Sequence, residues 1–350
     1  MQLNELSTGP CGWFDQTDQN SGIVISSRVR LARNIKGYNF SSTLSSESSL
    51  ELLNQLYCVI DEKTNHNLSF FRIDNMTELE VNFLVERNLI TSVMAFSSMP
   101  RGVFLSDNEL TSIMVNEEDH LRLQAFSPGF NLNACWKRID RLDDLIESSV
   151  KYAFDSRLGY LTACPTNVGT GLRISVMLHL AGLKMTGELE KVKKSASAMK
   201  LALRGLWGEG SGAMGDMYQV SNELTLGISE QDCLNDFTEN IIPQIVKYEM
   251  IAREELLRRP AILDDKIFRA LAILKNARMI SSAEAMSHLC RLRLGILLGR
   301  VTEVSLERVN GLFFFILPSH LQMSLGKQLT REERDYLRAN LIRDILRGGE

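Results

Sequence analysis

The sequence predicts an α+β fold, and three observations carry that prediction. Short runs rich in β-branched or alternating residues recur through the first two thirds of the chain. Amphipathic helical stretches separate them. From about Ser229 onward glycine becomes sparse, strand signals fade and long helical periodicity takes over. Residues 1–20 read as a polar lead-in, 21–254 as a catalytic part and 255–350 as a helical domain.

The elements follow in order. The run IVISSRVRL within 23–33 is a strand signal. Residues 44–65 read as a helix, striped by Leu50, Leu53, Leu56, Val59 and Ile60, and 75–88 as another. Strand-like runs lie at 102–106, 112–115 and 121–126, the last alternating Leu121, Leu123 and Ala125 with Arg122 and Gln124. Residues 137–153 look helical. A strand-like piece at 159–164 enters the turn-rich CPTNVGTG, after which 172–183 and 186–200 read as helices, and 217–220 and 223–226 as strands. Ser229 suits the N-cap of a helix running past Glu254, and Pro260 breaks it. Ser281 with Glu284 and Thr330 with Glu333 are capping-box patterns before two later helices. Apolar stripes such as Ile267, Leu271 and Leu274 need covering.

Composition narrows the function. The 350 residues are 44% hydrophobic and 23% charged, as in ordinary globular proteins. A net charge of −4 and a pI near 5.9 give no general reason for nucleic-acid binding, so any anion site must come from locally gathered arginines. Cysteines at 11, 58, 135, 164, 233 and 290 form no C-x-x-C pair, which favours a reducing cytoplasm. The N-terminus does not look like a signal peptide, and the longest apolar run, 312–318, is far too short to span a membrane.

Four segments hold candidate chemistry. In Ser26-Ser27-Arg28-Val29-Arg30-Leu31-Ala32-Arg33, strand parity projects Arg28 and Arg30 to one side, where two guanidinium forks suit phosphate oxygens; a solvated strand face fits the run alone equally well. Asn116-Glu117-Glu118-Asp119-His120-Leu121-Arg122 brings three carboxylates together, which asks for Mg²⁺ or a cationic substrate, or else an exposed acidic turn. Cys164-Pro165-Thr166-Asn167-Val168-Gly169-Thr170-Gly171-Leu172-Arg173 reads as a strand–loop–helix junction able to offer backbone N–H groups to phosphate, without the Gly-Lys-Ser/Thr ending of a P-loop. Cys164 reads either as a thiolate beside a cation or as a small buried hydrophobe. Arg204-Gly205-Leu206-Trp207-Gly208-Glu209-Gly210-Ser211-Gly212 is a glycine-dense loop, a mobile surface loop or a lid.

Through SSRVRLAR, VNEEDHLR and CPTNVGTGLR, in that order, the chain resembles the ATP:guanido phosphotransferases, the family of creatine and arginine kinases, over about residues 20–250. Two further features resemble its bacterial protein-arginine kinase (McsB-like) branch. One is the absence of the helical N-terminal domain of small-substrate members. The other is Arg334-Asp335-Tyr336-Leu337-Arg338-Ala339, which matches that branch's RDxxRA phosphoarginine-binding motif. Helical spacing puts Arg334 and Arg338 on one face with Asp335 beside them.

The resemblance implies a guanido-kinase catalytic domain, an antiparallel sheet flanked by helices, and then an all-helical domain for dimerisation and phosphoarginine sensing. It implies ATP and Mg²⁺ as cofactors. Arg28, Arg30, Arg122 and Arg173 would clamp the ATP phosphates. Ser26, Ser27, Val29, Asn88, Ile174, Ser175, Val176, Met177, Arg204, Gly205, Leu206, Trp207, Gly208 and Glu209 would complete the nucleotide site. Glu118 would align and deprotonate the acceptor guanidinium, Cys164 would contact it, and Glu117 and Asp119 would hold Mg²⁺ through water. Implied partners are proteins with exposed arginines, a Clp ATPase, an activator subunit and a second copy of the chain, with no nucleic acid or membrane. Two departures stand out: Gly212 replaces the loop glutamate of the family's GEGSE-like pattern, and Asn88 replaces a histidine at the adenine end. A degenerate kinase kept as a phosphoarginine-binding adaptor and a kinase for a small guanidino metabolite are the alternative readings.

Overall fold

The computed structural model describes residues 3–14, 22–205 and 215–348. The strands are β1 (Val24–Arg33), β2 (Ser69–Arg72), β3 (Gly102–Leu105), β4 (Thr111–Val115), β5 (Leu121–Pro128), the small pair β6 (Phe154–Asp155) and β7 (Gly159–Tyr160), β8 (Leu172–His179), β9 (Leu201–Gly205) and β10 (Met217–Asn222). Eight of them form one sheet in the order β2-β3-β4-β5-β1-β8-β10-β9. The pairs β2–β3, β3–β4, β4–β5 and β5–β1 are antiparallel. The helices are α1 (Leu3–Leu6), α2 (Ser46–Lys63), α3 (Glu78–Glu86), α4 (Ser92–Phe96), α5 (Leu132–Glu147), α6 (Ala181–Thr186), α7 (Leu189–Ala198), α8 (Glu230–Asp236), α9 (Ile242–Leu257), α10 (Pro260–Asn276), α11 (Ser282–Leu297), α12 (Leu306–Phe315), α13 (Pro318–Leu325) and α14 (Arg331–Arg347). The α+β expectation, an antiparallel sheet with helices and a helical C-terminal region, is met.

The chain divides into two compact units, whose boundaries fall inside β1, β8 and β10 and between α8 and α9. The first comprises Ser26–Ser175 and Ser221–Asn240. There α5 begins because Asn131 accepts from the Ala134 N–H, and it buries Leu132, Cys135, Ile139 and Ile146 at helical spacing. The second comprises Gln2–Ile25, Val176–Val220 and Ile241–Glu350. Its helices α9 to α14 bury the stripe Ile267, Leu271 and Leu274 internally, so that stripe is covered within the chain. Thr330 and Glu333 make the full capping box of α14, whereas Ser281 caps α11 through the Glu284 N–H alone.

Several boundaries differ from expectation. Residues 172–179 are strand, not helix: Leu172, Ile174, Val176 and Leu178 alternate with Arg173, Ser175 and His179, the period-two pattern of a strand, and a helix follows only from Ala181. Residues 223–226 lie outside any strand, and 161–164 do not extend β7. The lead-in is no loose tail where it is described. Trp13 and Phe14 are fully buried and pack edge-on against Phe314. The helix expected at 137–153 starts earlier, at Leu132, and ends at Glu147.

Candidate active site

The first unit assembles its charged face through strand register. Opposite residues of an antiparallel pair share a face, and β1 meets β5 with Arg28 against Phe126, Arg30 against Gln124 and Ala32 against Arg122. Arg28, Arg30 and Arg122 therefore line one side of the sheet, as strand parity predicts for the first two. Arg33 has the opposite parity and turns away: it is buried, bound to Asp143 and lies over Tyr160 at 3.5 Å. Arg173, the second residue of β8, donates to Ser221, and Ser175 accepts from Arg28 at 3.3 Å.

These arginines repel one another. Burial, then Arg173 and Arg122, brings the Arg28 guanidinium down to about 10. Burial followed by Arg28, Arg173 and Arg122 holds Arg30 well below its ordinary value, and its Nε has no hydrogen-bond partner among the described residues. Arg122 differs. Burial works against its charge, but Glu117, Asp119 and Glu118 outweigh it and raise the group.

The acidic turn explains that exception. Asn116 opens it with a left-handed backbone, φ 59°, a conformation asparagine tolerates. Glu117 is buried; it accepts from Arg122 at 2.9 Å, from Thr91, and from the Glu118 N–H at 2.7 Å. Asp119, also buried, accepts through Oδ1 from Asn34 and from the Ala163 N–H, both at 2.7 Å. Its Oδ2 has no hydrogen-bond partner among the described residues and lies 3.7 Å from Arg122. Burial raises the Asp119 carboxyl against those two donors and Arg122. Glu118 alone reaches outward: its side chain is 40% exposed and accepts from Arg122 at 2.9 Å. The turn is thus not a solvated acidic loop. Asn34 and Thr91, which position Asp119 and Glu117, carry no signal beyond Asn34 directly following the arginine run.

A cavity of about 110 Å³ brings the expected groups together: Arg30, Arg122, Arg173, Glu118 and Cys164 all line it. Cys164 is half-buried, with its thiol 3.0 Å from the Thr166 hydroxyl. The glycine-rich segment does not lead into a helix N-terminus, because β8 follows it. Its glycines serve close approach instead. A Cβ on Gly171, φ +64°, would lie 2.6 Å from the Ala32 carbonyl oxygen, and one on Gly169, φ +113°, 2.3 Å from that of Thr225.

The remaining expected residues are distributed as follows. Asn88 sits in a left-handed conformation, φ 58°, and its carbonyl accepts from Gln124, the neighbour of Arg30; its Nδ2 is buried without a partner among the described residues. Ser26 and Ser27 are buried, and the Ser27 hydroxyl ties the Gly129 carbonyl to the Asn131 N–H. Val29 and Ile174 are core residues. Val176 and Met177, farther along β8, and Arg204 and Gly205, ending β9, belong to the second unit. Leu206, Trp207, Gly208, Glu209 and Gly212 lie outside the described residues. In α14, Arg338 is buried and donates to the Ile316 and Ile280 carbonyls at 2.7 and 2.9 Å and to Asp335. Arg334 donates to the Leu329 carbonyl, Tyr336 is exposed, Leu337 half-buried and Ala339 buried. Among the described residues no group of three or more His, Cys, Asp or Glu side chains is arranged to hold a metal ion directly, and no helix is long and apolar enough to cross a membrane.

A sheet face of clustered arginines closed by a carboxylate turn is the arrangement of a phosphoryl-transfer enzyme that acts on a cationic acceptor. The family model of the ATP:guanido phosphotransferase C-terminal catalytic domain matches residues 51–252, and that of the protein-arginine kinase McsB C-terminal domain matches 260–349. The chain belongs to the ATP:guanido phosphotransferase family. It is 43% identical to the protein-arginine kinase of Geobacillus thermodenitrificans over 98% of this chain and 95% of that one. It is 42% identical to the protein-arginine kinase of Brevibacillus brevis, over 96% and 95%. Among solved structures, it is similar to the duplicated taurocyamine kinase of Schistosoma mansoni with bound transition-state-analogue components, at TM-score 0.58 and 27% identity. That match covers 69% of this chain and only 35% of the duplicated one. A lombricine kinase shares the fold at TM-score 0.57 and 24% identity, covering 70% of each chain.

Proposed function

We propose that this enzyme is a protein-arginine kinase, transferring the γ-phosphoryl group of ATP to arginine side chains of proteins. The observation that carries the reading is the small cavity where Arg30, Arg122 and Arg173 meet Glu118 and Cys164. It offers positive charge for the phosphoryl group and a carboxylate for the incoming guanidinium. The like-charge crowding around Arg30 is relieved when a polyphosphate enters, which favours anion binding at this spot.

In this mechanism Arg28, Arg30, Arg122 and Arg173 hold the ATP phosphates and stabilise the negative charge on the moving phosphoryl group. Glu118 orients the acceptor guanidinium and takes its proton as the nitrogen attacks phosphorus and ADP leaves. Cys164 contacts the guanidinium. Glu117 and Asp119 would hold Mg²⁺ through water, and the open Oδ2 of Asp119 fits that use; the ion, when bound, supplies positive charge at the phosphate oxygens. Ser26, Ser27, Val29, Asn88, residues 174–177 and residues 204–209 complete the nucleotide site.

The helical region is proposed to sense phosphoarginine through residues 334–339, with Arg334 and Asp335 as the contact groups because Arg338 ties helices together. It is also proposed to dimerise, which the exposed Ile251, Leu257, Ile262 and Phe268 support. Marking of cytoplasmic proteins for a Clp ATPase, with an activator subunit, completes the proposal.

Incubation with ATP, Mg²⁺ and casein, beside free arginine, tests the activity by acid-labile phosphate. The expected result is labelled casein. No product from either acceptor, with phosphoarginine binding retained, would favour the adaptor reading that Gly212 motivates. Gly212→Glu should raise the rate; an unchanged rate means that another carboxylate already aligns the acceptor.

A further inference from the structure

A cavity of about 500 Å³ in the first unit lies between the end of α2, the turn after it and one flank of α5. From α5 it takes Ala134, Lys137, Arg138, Arg141, Leu142 and Leu145, which helical spacing gathers into one stripe. Thr111, at the start of β4, closes it. Thr111 pairs with Ala125, whose parity is opposite to that of Arg122 and Gln124, so this wall belongs to the sheet face turned away from the active-site arginines. We infer that this concavity docks an acidic segment of a partner protein, one in which carboxylates flank aliphatic side chains. The inference is independent of the kinase reading, since it concerns a partner held on the far side of the sheet while the arginine face stays open.

Charge is the first argument. Lys63, Lys137, Arg138 and Arg141 line the cavity, and no carboxylate does. None of the four has an ion-pair partner among the described residues. Lys137 and Arg141 stand one helical turn apart, where like charges repel. The acids of the same helix do not relieve them: burial, then Asp144, raise the Asp140 carboxyl, and the cation that opposes them is Arg33. Arg138 is held in place through Nη1, which donates to the Phe126 carbonyl at 2.6 Å and to the Leu110 carbonyl at 3.4 Å. Its Nε and Nη2 stay uncommitted among the described residues. In a chain of net charge −4 this gathering of uncompensated cations favours an anionic partner.

The apolar floor is the second argument, and it selects the class of anion. Leu68, Leu142 and Leu145 line the cavity half-buried, which leaves aliphatic surface for a ligand to cover. Inorganic phosphate or polyphosphate would leave that surface wet. No aromatic ring lines the cavity, so a nucleobase finds no stacking platform. A peptide that mixes carboxylates with leucines uses both halves of the site. Its main chain is served as well, because Asn65 and Asn67 bring side-chain amides that donate and accept.

The test uses the full chain and a fluorescein-labelled, amide-blocked peptide, Asp-Glu-Leu-Asp-Glu-Leu-Glu, read by anisotropy. Saturable binding is expected at about 0.05 M salt, weakening as salt rises through about 0.2 M. Lys137→Gln combined with Arg141→Gln, both at exposed positions, should weaken binding by about 10-fold or more, as expected when charge-assisted contacts are lost. Lys63→Gln, on a different helix, should weaken it by about 3-fold on its own. A peptide with serine in place of both leucines should bind about 10-fold more weakly. Arg30→Ala, on the opposite face of the sheet, should bind the peptide as the wild type does. No saturable binding, binding indifferent to the lysine and arginine substitutions, or binding lost in Arg30→Ala overturns the inference. Displacement of the labelled peptide by inorganic tripolyphosphate or by a single-stranded oligonucleotide as readily as by unlabelled peptide overturns the class of partner, as does equal binding of the serine peptide.

Discussion

The buried arginines of the second unit and the half-buried arginines of the first unit's sheet face are used in opposite ways. In the second unit each guanidinium has fixed acceptors. Arg338 donates to two helix-end carbonyls and Asp335; Arg253 binds Glu249 at 2.7 Å; Arg293 donates to Asn310, to the Gly22 carbonyl and to His179. In the first unit Arg28, Arg30 and Arg173 face one another across neighbouring strands, and their mutual repulsion is what lowers Arg30 beyond the effect of burial. One set ties helices together, and the other leaves like charges facing one another, as the proposed polyphosphate site requires. Burial separates the two sets as well, Arg338 being fully buried and Arg30 half-buried.

Substitutions should separate the two sets. Arg30→Ala should lower kcat/KM by about 10²–10³, the usual loss for one donor aimed at transition-state charge, while the urea midpoint stays level or rises because a repulsion is removed. A large drop in the midpoint would place Arg30 with the structural set. Arg338→Ala should do the reverse within its own unit, destabilising the fold by about 3–5 kcal/mol as a buried ionic tie is broken; unchanged unfolding would contradict the assignment.

A subtler contrast concerns Asp119, whose carboxyl burial raises. Its folded value lies above its unfolded value, so ionising it weakens the native state as pH rises through that window. Asp119→Asn keeps an oxygen for Asn34 and the Ala163 N–H. It should therefore gain stability relative to the wild type as pH climbs from below the ordinary aspartate range, and show no such trend if Asp119 titrates normally. The smallest effect on stability is expected at Ser27→Ala, which removes the tie between Gly129 and Asn131 and should lower stability in urea unfolding by about 1 kcal/mol; an unchanged midpoint would contradict that tie.

Much of this was legible in the chain itself. Strand parity alone puts Arg28 and Arg30 together, and the capping residues Ser229, Ser281 and Thr330 mark helix starts. What stayed hidden depends on distant pairing. Asn34 holds Asp119 across 85 residues of sequence, and Thr91 holds Glu117 across 26. Strand β8 was legible, since Leu172, Ile174, Val176 and Leu178 alternate with Arg173, Ser175 and His179, but the short helix directly after it extends the apolar run and favours a helical reading of 172–183. In α14, the spacing of Arg334 and Arg338 shows that they share a face, but not that Arg338 turns inward, since that depends on carbonyls supplied by two other segments.

The central claim is that the arginine face of the first unit is a polyphosphate clamp, and ligand-induced stabilisation tests it most directly. Thermal unfolding of the wild type with MgATP at about 100 times its dissociation constant should show a gain of about 2.7 kcal/mol, and Arg30→Ala at the same MgATP concentration should lose most of that gain. A wild type indifferent to MgATP, or an Arg30→Ala variant stabilised as fully, would contradict the account.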